Sequence, residues 1–163
     1  MKKNSAPTVS FSDVPRRFPL ILGGLTIVFA FRVAGQLLTA FVDVSFLPPF
    51  ERWYSGVVPY WLLLPLQIAL IALLAAIVRD FVRGDGFFTT LAPRTGLVLC
   101  RLAYLYAFVM AVRYAITMML HPELRWFTGT APIWFHFVLA LFVFTVGRYN
   151  ANRLGKPDQV PKP

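Results

Sequence analysis

Residues 18–42 read FPLILGGLTIVFAFRVAGQLLTAFV, a run of twenty-five residues in which Arg32 is the only charged side chain. A helix needs about 20 mostly apolar residues to cross the hydrocarbon core of a bilayer. The run is longer than the apolar region of a signal peptide, and no small-residue cleavage site followed by a polar segment comes after it. We therefore predict a retained transmembrane helix in this segment.

Three further segments have a similar length and composition, at about residues 57–78, 96–120 and 132–147. The 163-residue chain is 58% hydrophobic and only 14% charged, with a mean hydropathy of +0.65. Soluble domains carry about 25% charged residues, so this composition excludes an ordinary soluble domain. Backbone groups inside lipid must be paired within their own segment, which favours helices.

The predicted fold is an all-α integral membrane protein, a four-transmembrane-helix bundle built from one domain, residues 1–163. Short polar tails at 1–17 and 150–163 are expected to be mobile. Between the second and third spans, Gly84-Asp85-Gly86 predicts a tight turn, because glycine adopts the backbone angles that such turns require. Four alanines spaced every four residues on the third span predict a surface for close helix packing: Ala103, Ala107, Ala111 and Ala115.

Lysine and arginine are distributed unevenly outside the spans. Two loops hold only Arg52 and Arg125, whereas the termini and the middle loop hold eleven cations: Lys2, Lys3, Arg16, Arg17, Arg79, Arg83, Arg94, Arg148, Arg153, Lys156 and Lys162. Because positive residues accumulate on the cytoplasmic side, both termini are predicted to be cytoplasmic, in a bacterial-type inner membrane. This basic face suits anionic membrane lipids as partners. Nucleic acid is not expected as a partner, since the chain has no soluble basic module.

The remaining three arginines lie inside the spans. Arg101 is near the inner end of the third span, where its side chain can reach the interface. Arg32 lies within a turn of the bilayer centre, and Arg113 lies about 8 Å outside the centre, at 1.5 Å per residue. An arginine at the midplane costs about 2.5–3.5 kcal/mol on insertion scales. No aspartate or glutamate lies deep in any span to neutralise these charges.

Uncharged polar residues occur at similar depths. Gln36 is one turn beyond Arg32 on the same helical line, and Tyr106 shares a face of the third span with Arg113. Gln67 and Tyr60 come from the second span, and His136 comes from the fourth. We expect six candidate ligand-binding residues to converge in the outer half of the bundle: Arg32, Gln36, Tyr60, Gln67, Arg113 and His136.

Three interpretations of this set remain open. The site binds or passes an anionic group, such as a lipid headgroup, a quinone-like or carboxylate ligand, or an anion. Alternatively, the arginines are structural, and are satisfied by Gln67, by tyrosine hydroxyls and by the Trp61 carbonyl, which Pro65 leaves without its helical partner. In the third interpretation, the chain is an accessory or assembly subunit of a larger membrane complex, or a homo-oligomer, and a neighbouring subunit supplies the acidic partner.

The sequence shows no catalytic, metal or cofactor signature. His121 and His136 are at different depths, which argues against a bis-histidine haem, and the single Cys100 cannot form a redox pair. We therefore expect a non-enzymatic protein with no cofactor, no metal and no catalytic residues. The weaker alternative is a membrane enzyme with an outer-face site formed from His121, Glu123, Asp43 and Glu51.

Overall fold

A computed structural model describes residues 14–41, 60–120 and 131–152. These residues form four long helices: α1 (Arg17–Phe41), α2 (Tyr60–Arg83), α3 (Pro93–Leu120) and α4 (Ala131–Ala151). A short 3-10 helix, Phe87–Thr89, lies between α2 and α3, and the described residues contain no strand. All four long helices are long and apolar enough to span a membrane. The prediction of an all-helical chain with four such segments is confirmed.

The helix boundaries differ from the predicted ones mainly where charged residues follow an apolar run. α2 was expected to end at Val78 but continues through Asp80 to Arg83, and α4 continues past Gly147 to Ala151. Arginine is a good helix former and does not end a helix by itself, so hydropathy underestimates helix length here. Pro65 lies inside α2, and the helix continues through it. Most of the predicted tails, and the two loops that hold Arg52 and Arg125, lie outside the described residues.

The helices pack in a row rather than in a closed ring. Within the described residues, α1 contacts α2 and α4, α4 contacts α3, and α3 has no backbone contact with α1 or α2. The order across the row is therefore α2, α1, α4, α3. Side chains from the first three of these form the buried core: Phe18, Leu22, Phe29, Val33, Leu74, Ile77, Phe81, Phe142, Val146 and Tyr149.

α3 approaches α4 most closely where Gly96 crosses Gly147. A Cβ atom on Gly96 would lie 2.5 Å from the backbone nitrogen of Ala151 and 2.8 Å from the carbonyl oxygen of Gly147. A Cβ atom on Gly147 would meet the Gly96 carbonyl oxygen at 2.8 Å. The two backbones are thus in contact, as small residues allow in helix pairs that cross membranes.

The connection between α2 and α3 is a tight turn built on two glycines. Gly84 and Gly86 have φ angles of 74° and 118°, in the region that favours glycine, as predicted. The backbone N–H of Phe88 donates to the buried Asp80 carboxylate at 3.5 Å, and that of Gly84 donates to the Asp80 carbonyl. We call this end of the molecule, with the start of α1 and the end of α4, the turn end, and the opposite end the distal end.

Candidate functional site

An amide pair joins α1 to α2. Gln36 and Gln67 are almost fully buried, at 1% and 6% exposure, and the Gln67 side-chain N–H donates to the Gln36 Oε1 atom at 3.1 Å. The remaining polar atoms of the pair, Gln36 Nε2 and Gln67 Oε1, are buried and have no partner in the described structure. Exchanging the oxygen and nitrogen of both amides would still leave one donor and one acceptor unsatisfied.

Arg32 lies on α1 where this helix faces α4. Its guanidinium carbon is 5.0 Å from the centre of the Phe135 ring, a distance at which the ring quadrupole attracts the cation. Its Nε atom is buried without a hydrogen-bond acceptor. The structural interpretation assigned Gln67 to Arg32 as a partner, but the bond that Gln67 donates goes to Gln36 instead.

Tyr106 and His136 join α3 to α4. The tyrosine oxygen is 2.5 Å from the His136 Nδ1 atom, and the two rings meet edge to face. If the Tyr106 hydroxyl donates to Nδ1, the ring proton of the neutral histidine lies on Nε2 and that atom becomes a donor. In either tautomer, this bond fixes the orientation of the imidazole.

Arg113 lies seven residues after Tyr106 on α3 and is exposed in the isolated chain. Both arginines, Arg113 and Arg32, lie within electrostatic range of His136, and Arg113 also acts on Tyr106. Arg32 of α1 and Arg113 of α3 are thus both near enough to influence the imidazole of α4 electrostatically. Tyr60, the sixth predicted residue, begins α2, and its side chain lies outside the described part of the structure.

The polar residues occupy one level of the row. Counted from the turn end at 1.5 Å per residue, Arg32, Gln36, Gln67, Tyr106 and His136 all lie about 20–30 Å along their helices, and Arg113 is near the upper limit. Each pair of neighbouring helices has one contact at this level: Gln67 with Gln36, Arg32 with Phe135, and His136 with Tyr106. We call the residues Arg32, Gln36, Gln67, Tyr106, Phe135, His136 and Arg113 the polar layer.

The polar layer contains three buried polar atoms that the described residues leave without a hydrogen-bond partner. The unsatisfied atoms are the cationic Arg32 Nε–H donor, one amide donor and one amide acceptor. Among the described residues, no carboxylate forms an ion pair with Arg32 or Arg113. The ion pair found in the described part of the chain joins Arg79 to Asp80 at the turn end. Acceptor oxygens would satisfy the two donors, and a donor would satisfy the remaining amide oxygen.

The sequence did not indicate two features of the structure, one in the polar layer and one at the turn end. Phe135 was absent from the candidate set, although its position beside His136 was a usable signal, since an aromatic residue at arginine depth can stack on the cation. At the turn end, Asn150 is fully buried and its amide donates to the carbonyls of Phe88 and Val146, which ties α4 to the turn. The polarity of Asn150 placed it in the tail, so its burial could only be found in the structure.

A concave surface lies along the α3–α4 contact, outside the polar layer. It is an apolar groove of about 270 Å³, lined by small and aromatic residues: Ala103, Tyr104, Ala107, Phe137, Ala140, Leu141 and Phe144. The predicted alanine surface is therefore partly used, because Ala103 is buried against α4 whereas Ala111 and Ala115 are exposed. The groove has no charged side chain and does not contribute to the polar layer.

The described residues contain no cluster of three or more histidine, cysteine, aspartate or glutamate side chains able to hold a metal. The alternative outer-face set of His121, Glu123, Asp43 and Glu51 lies outside them. No family model, no curated protein and no solved structure matches this chain.

Proposed function

We propose that this chain is a small, non-enzymatic protein of a bacterial-type inner membrane that binds an anionic group at the polar layer, with both termini in the cytoplasm. The observation that carries the proposal is the buried, unsatisfied Arg32 Nε–H, one helical turn from Gln36, whose bonded pair with Gln67 leaves two further atoms unsatisfied. The anion is a lipid headgroup, a carboxylate or quinone-like ligand, or an inorganic ion.

The surface of the helices supports membrane insertion. Large apolar side chains point outwards along every helix, among them Phe31 on α1, Leu66 on α2, Phe108 on α3 and Leu141 on α4. In water, a contiguous apolar surface of this kind leads to aggregation, whereas in a bilayer it contacts acyl chains. The polar layer would then lie at membrane depth, and the eleven-to-two charge distribution favours a cytoplasmic turn end.

Free energy supports a bound anion over an empty site. Leaving a buried donor unsatisfied costs about 1–3 kcal/mol, and more for a charged group. A hydrogen bond to a charged group contributes about 1.5–3 kcal/mol. The Arg32 cation, which lies over the Phe135 ring, also has no carboxylate partner among the described residues. An anion with acceptor oxygens removes both penalties at once, and the chain has no carboxylate within its spans at this level to do the same.

A second candidate function rests on Arg113. This arginine is exposed on α3, the last helix of the row, and has no carboxylate partner within the described residues. A neighbouring membrane subunit with an acidic residue would neutralise it. The chain would then be an accessory subunit of a complex or a homo-oligomer, docking through α3.

Native mass spectrometry in mild detergent tests both functions. The purified wild type should carry a co-purifying anionic species that Arg32→Gln removes. Arg101→Gln is the matched control, since Arg101 is an exposed arginine on α3 outside the polar layer. A ligand-free wild type, or equal retention by Arg32→Gln, contradicts anion binding. Loss of a co-purifying membrane protein from Arg113→Gln alone would support the subunit function instead.

A further inference from the structure

Exposed arginines without a carboxylate partner lie at the turn end, and every long helix contributes at least one. We call the following five residues the arginine belt: Arg16 and Arg17 at the start of α1, Arg83 of α2, Arg94 of α3 and Arg148 of α4. Among the residues that the structure describes, the carboxylates are Asp80 and Asp85. Asp80 is buried and pairs with Arg79, and Asp85 forms no ion pair within this part of the chain. The charges of the belt are therefore not neutralised by the described residues.

Contacts between the helices place the belt at one level of the molecule. A buried aromatic cluster joins α1, α2 and α4 at the turn end, where Phe18 and Phe81 each meet Tyr149 edge to face, with ring centres 5.1 and 4.9 Å apart. On the other side of α4, Gly96 of α3 crosses the last turns of α4. At 1.5 Å per residue, each belt arginine lies within about 3 Å, along its own helix, of one of these contacts.

Helix electrostatics account for only part of the belt. Arg83 and Arg148 lie in the last turns of α2 and α4, where a cation interacts favourably with the helix dipole. Arg17 and Arg94 lie in the first turns of α1 and α3, where the dipole disfavours a cation, and neither first turn contains an acidic residue to offset it. A negative charge outside the chain at this level would stabilise all four.

Exposed apolar side chains adjoin the belt on its distal side. Leu20 comes three residues after Arg17, and Leu97 comes three residues after Arg94, so each pair shares a face of its helix. Both leucines are exposed. On α1 and α3, a cation at the turn end is thus followed, one turn further along the helix, by apolar surface. This order matches a phospholipid, which has an anionic headgroup above an acyl chain, and it does not match a soluble phosphate.

We propose that the arginine belt binds the headgroups of anionic phospholipids in the membrane leaflet at the turn end. This site is separate from the polar layer and does not depend on an anion being bound there. The lipid phosphates accept charge-assisted hydrogen bonds from the guanidinium groups, and the acyl chains lie against Leu20 and Leu97. Phosphatidylglycerol is preferred over phosphatidylcholine, because the quaternary ammonium of the latter cancels the phosphate charge.

Lipid-dependent thermal stability of the full chain in a non-ionic detergent tests the proposal, with dioleoyl phosphatidylglycerol, dioleoyl phosphatidylcholine and soluble glycerol 3-phosphate as probes. Phosphatidylglycerol alone should raise the Tm of the wild type, and the concentration dependence of the shift gives its affinity. Arg17→Gln/Arg94→Gln should weaken this binding at least tenfold, since an arginine near an anionic surface contributes about fivefold.

Melting without lipid separates lipid binding from a structural role of the two arginines. The lipid-free Arg17→Gln/Arg94→Gln variant should melt at or above the wild-type temperature, because each substitution removes a cation from a helix N-terminus. Arg17→Lys/Arg94→Lys is the matched control, since it keeps the charge and should retain most of the phosphatidylglycerol binding. A lipid-free Tm well below that of the wild type would mean that the two arginines stabilise the fold, and would count against the proposal.

The outcomes also distinguish this proposal from anion binding at the polar layer. Equal phosphatidylglycerol binding by the wild type and by Arg17→Gln/Arg94→Gln overturns the lipid site, and so does equal binding of glycerol 3-phosphate. If phosphatidylglycerol binding is lost from Arg32→Gln but not from the belt variant, the belt proposal fails while the polar layer stands. If binding depends on the belt and no anionic species depends on Arg32, the belt proposal stands and the proposed function fails.

Discussion

The contact between Gly96 and Gly147 gives the sharpest stability prediction. Replacing either glycine by alanine places a Cβ atom 2.5–2.9 Å from backbone atoms of the neighbouring helix, where ordinary contacts begin near 3.4 Å. Because backbone atoms cannot rotate away, α3 must move from α4 by about 0.5–1 Å, which forfeits a quarter to a half of the contact energy along the interface.

The magnitude follows from two opposing effects. Overpacking of this kind costs about 1–3 kcal/mol, and the rigid backbone on both sides favours the upper part of that range. Alanine regains about 1 kcal/mol of helix propensity relative to glycine. The expected net loss is about 1–2 kcal/mol for Gly96→Ala and for Gly147→Ala. For a chain of this length, that corresponds to a decrease in Tm of about 2–8 °C.

Thermal unfolding in mild detergent, followed by far-UV circular dichroism, measures this effect. Gly24→Ala is the matched control, since a Cβ atom on Gly24 meets no atom within 4 Å. It should leave Tm unchanged or raise it through helix propensity. If Gly96→Ala and Gly147→Ala melt like Gly24→Ala, the two backbones are not in contact and the position of α3 in the row is wrong.

Three further predictions concern the polar layer and the turn. Gln36→Leu and Gln67→Leu should each destabilise the protein by about 1–2 kcal/mol. The double variant should lose less than the sum of the two, because it leaves no buried amide unpaired. Additive losses in a double-mutant cycle measured by thermal unfolding would contradict the hydrogen bond between Gln36 and Gln67. Tyr106→Phe should lower stability by about 0.5–1.5 kcal/mol through loss of the bond to His136, whereas Tyr104→Phe, on an exposed ring, should not; equal melting of the two variants would count against the Tyr106–His136 bond. Gly86→Ala should lower Tm more than Gly84→Ala. Both positions have a positive φ that strains alanine, but only at Gly86 would the new Cβ atom also collide with the Asp80 carboxylate. The reverse order would mean that Asp80 does not contact the turn.

The sequence predicted the polar residues better than their pairing. Helical spacing placed Arg32 beside Gln36 and Tyr106 beside Arg113, because the positions on one helix follow from 100° per residue. Which side chain meets which across helices depends on how the helices are ordered and rotated. The order α2, α1, α4, α3 joins Gln67 to Gln36 and leaves Arg32 on Phe135, and no pattern within one segment carries that information.

Helix packing, like the pairing of the polar residues, was predicted from the sequence only in part. The alanine spacing on α3 indicated a small-residue packing face, of which Ala103 is buried on α4 whereas Ala111 and Ala115 are exposed. The closest approach, however, is between Gly96 and Gly147, two single glycines on different helices that form no repeat. Glycine identity alone is ambiguous, since Gly24 faces open space although it is also inside a helix.

What the sequence determined by itself is the number and type of the elements. Apolar length forces four helices, because buried backbone groups must pair within each segment, and glycines with positive φ form the turn after Arg83. Only the tertiary structure decided that these helices form a row in the order α2, α1, α4, α3, and that Arg32 lies over Phe135 of α4 with its Nε atom unsatisfied. The physical reason is that hydrogen bonds within a helix are local, whereas contacts between helices depend on the shape and rotation of all four.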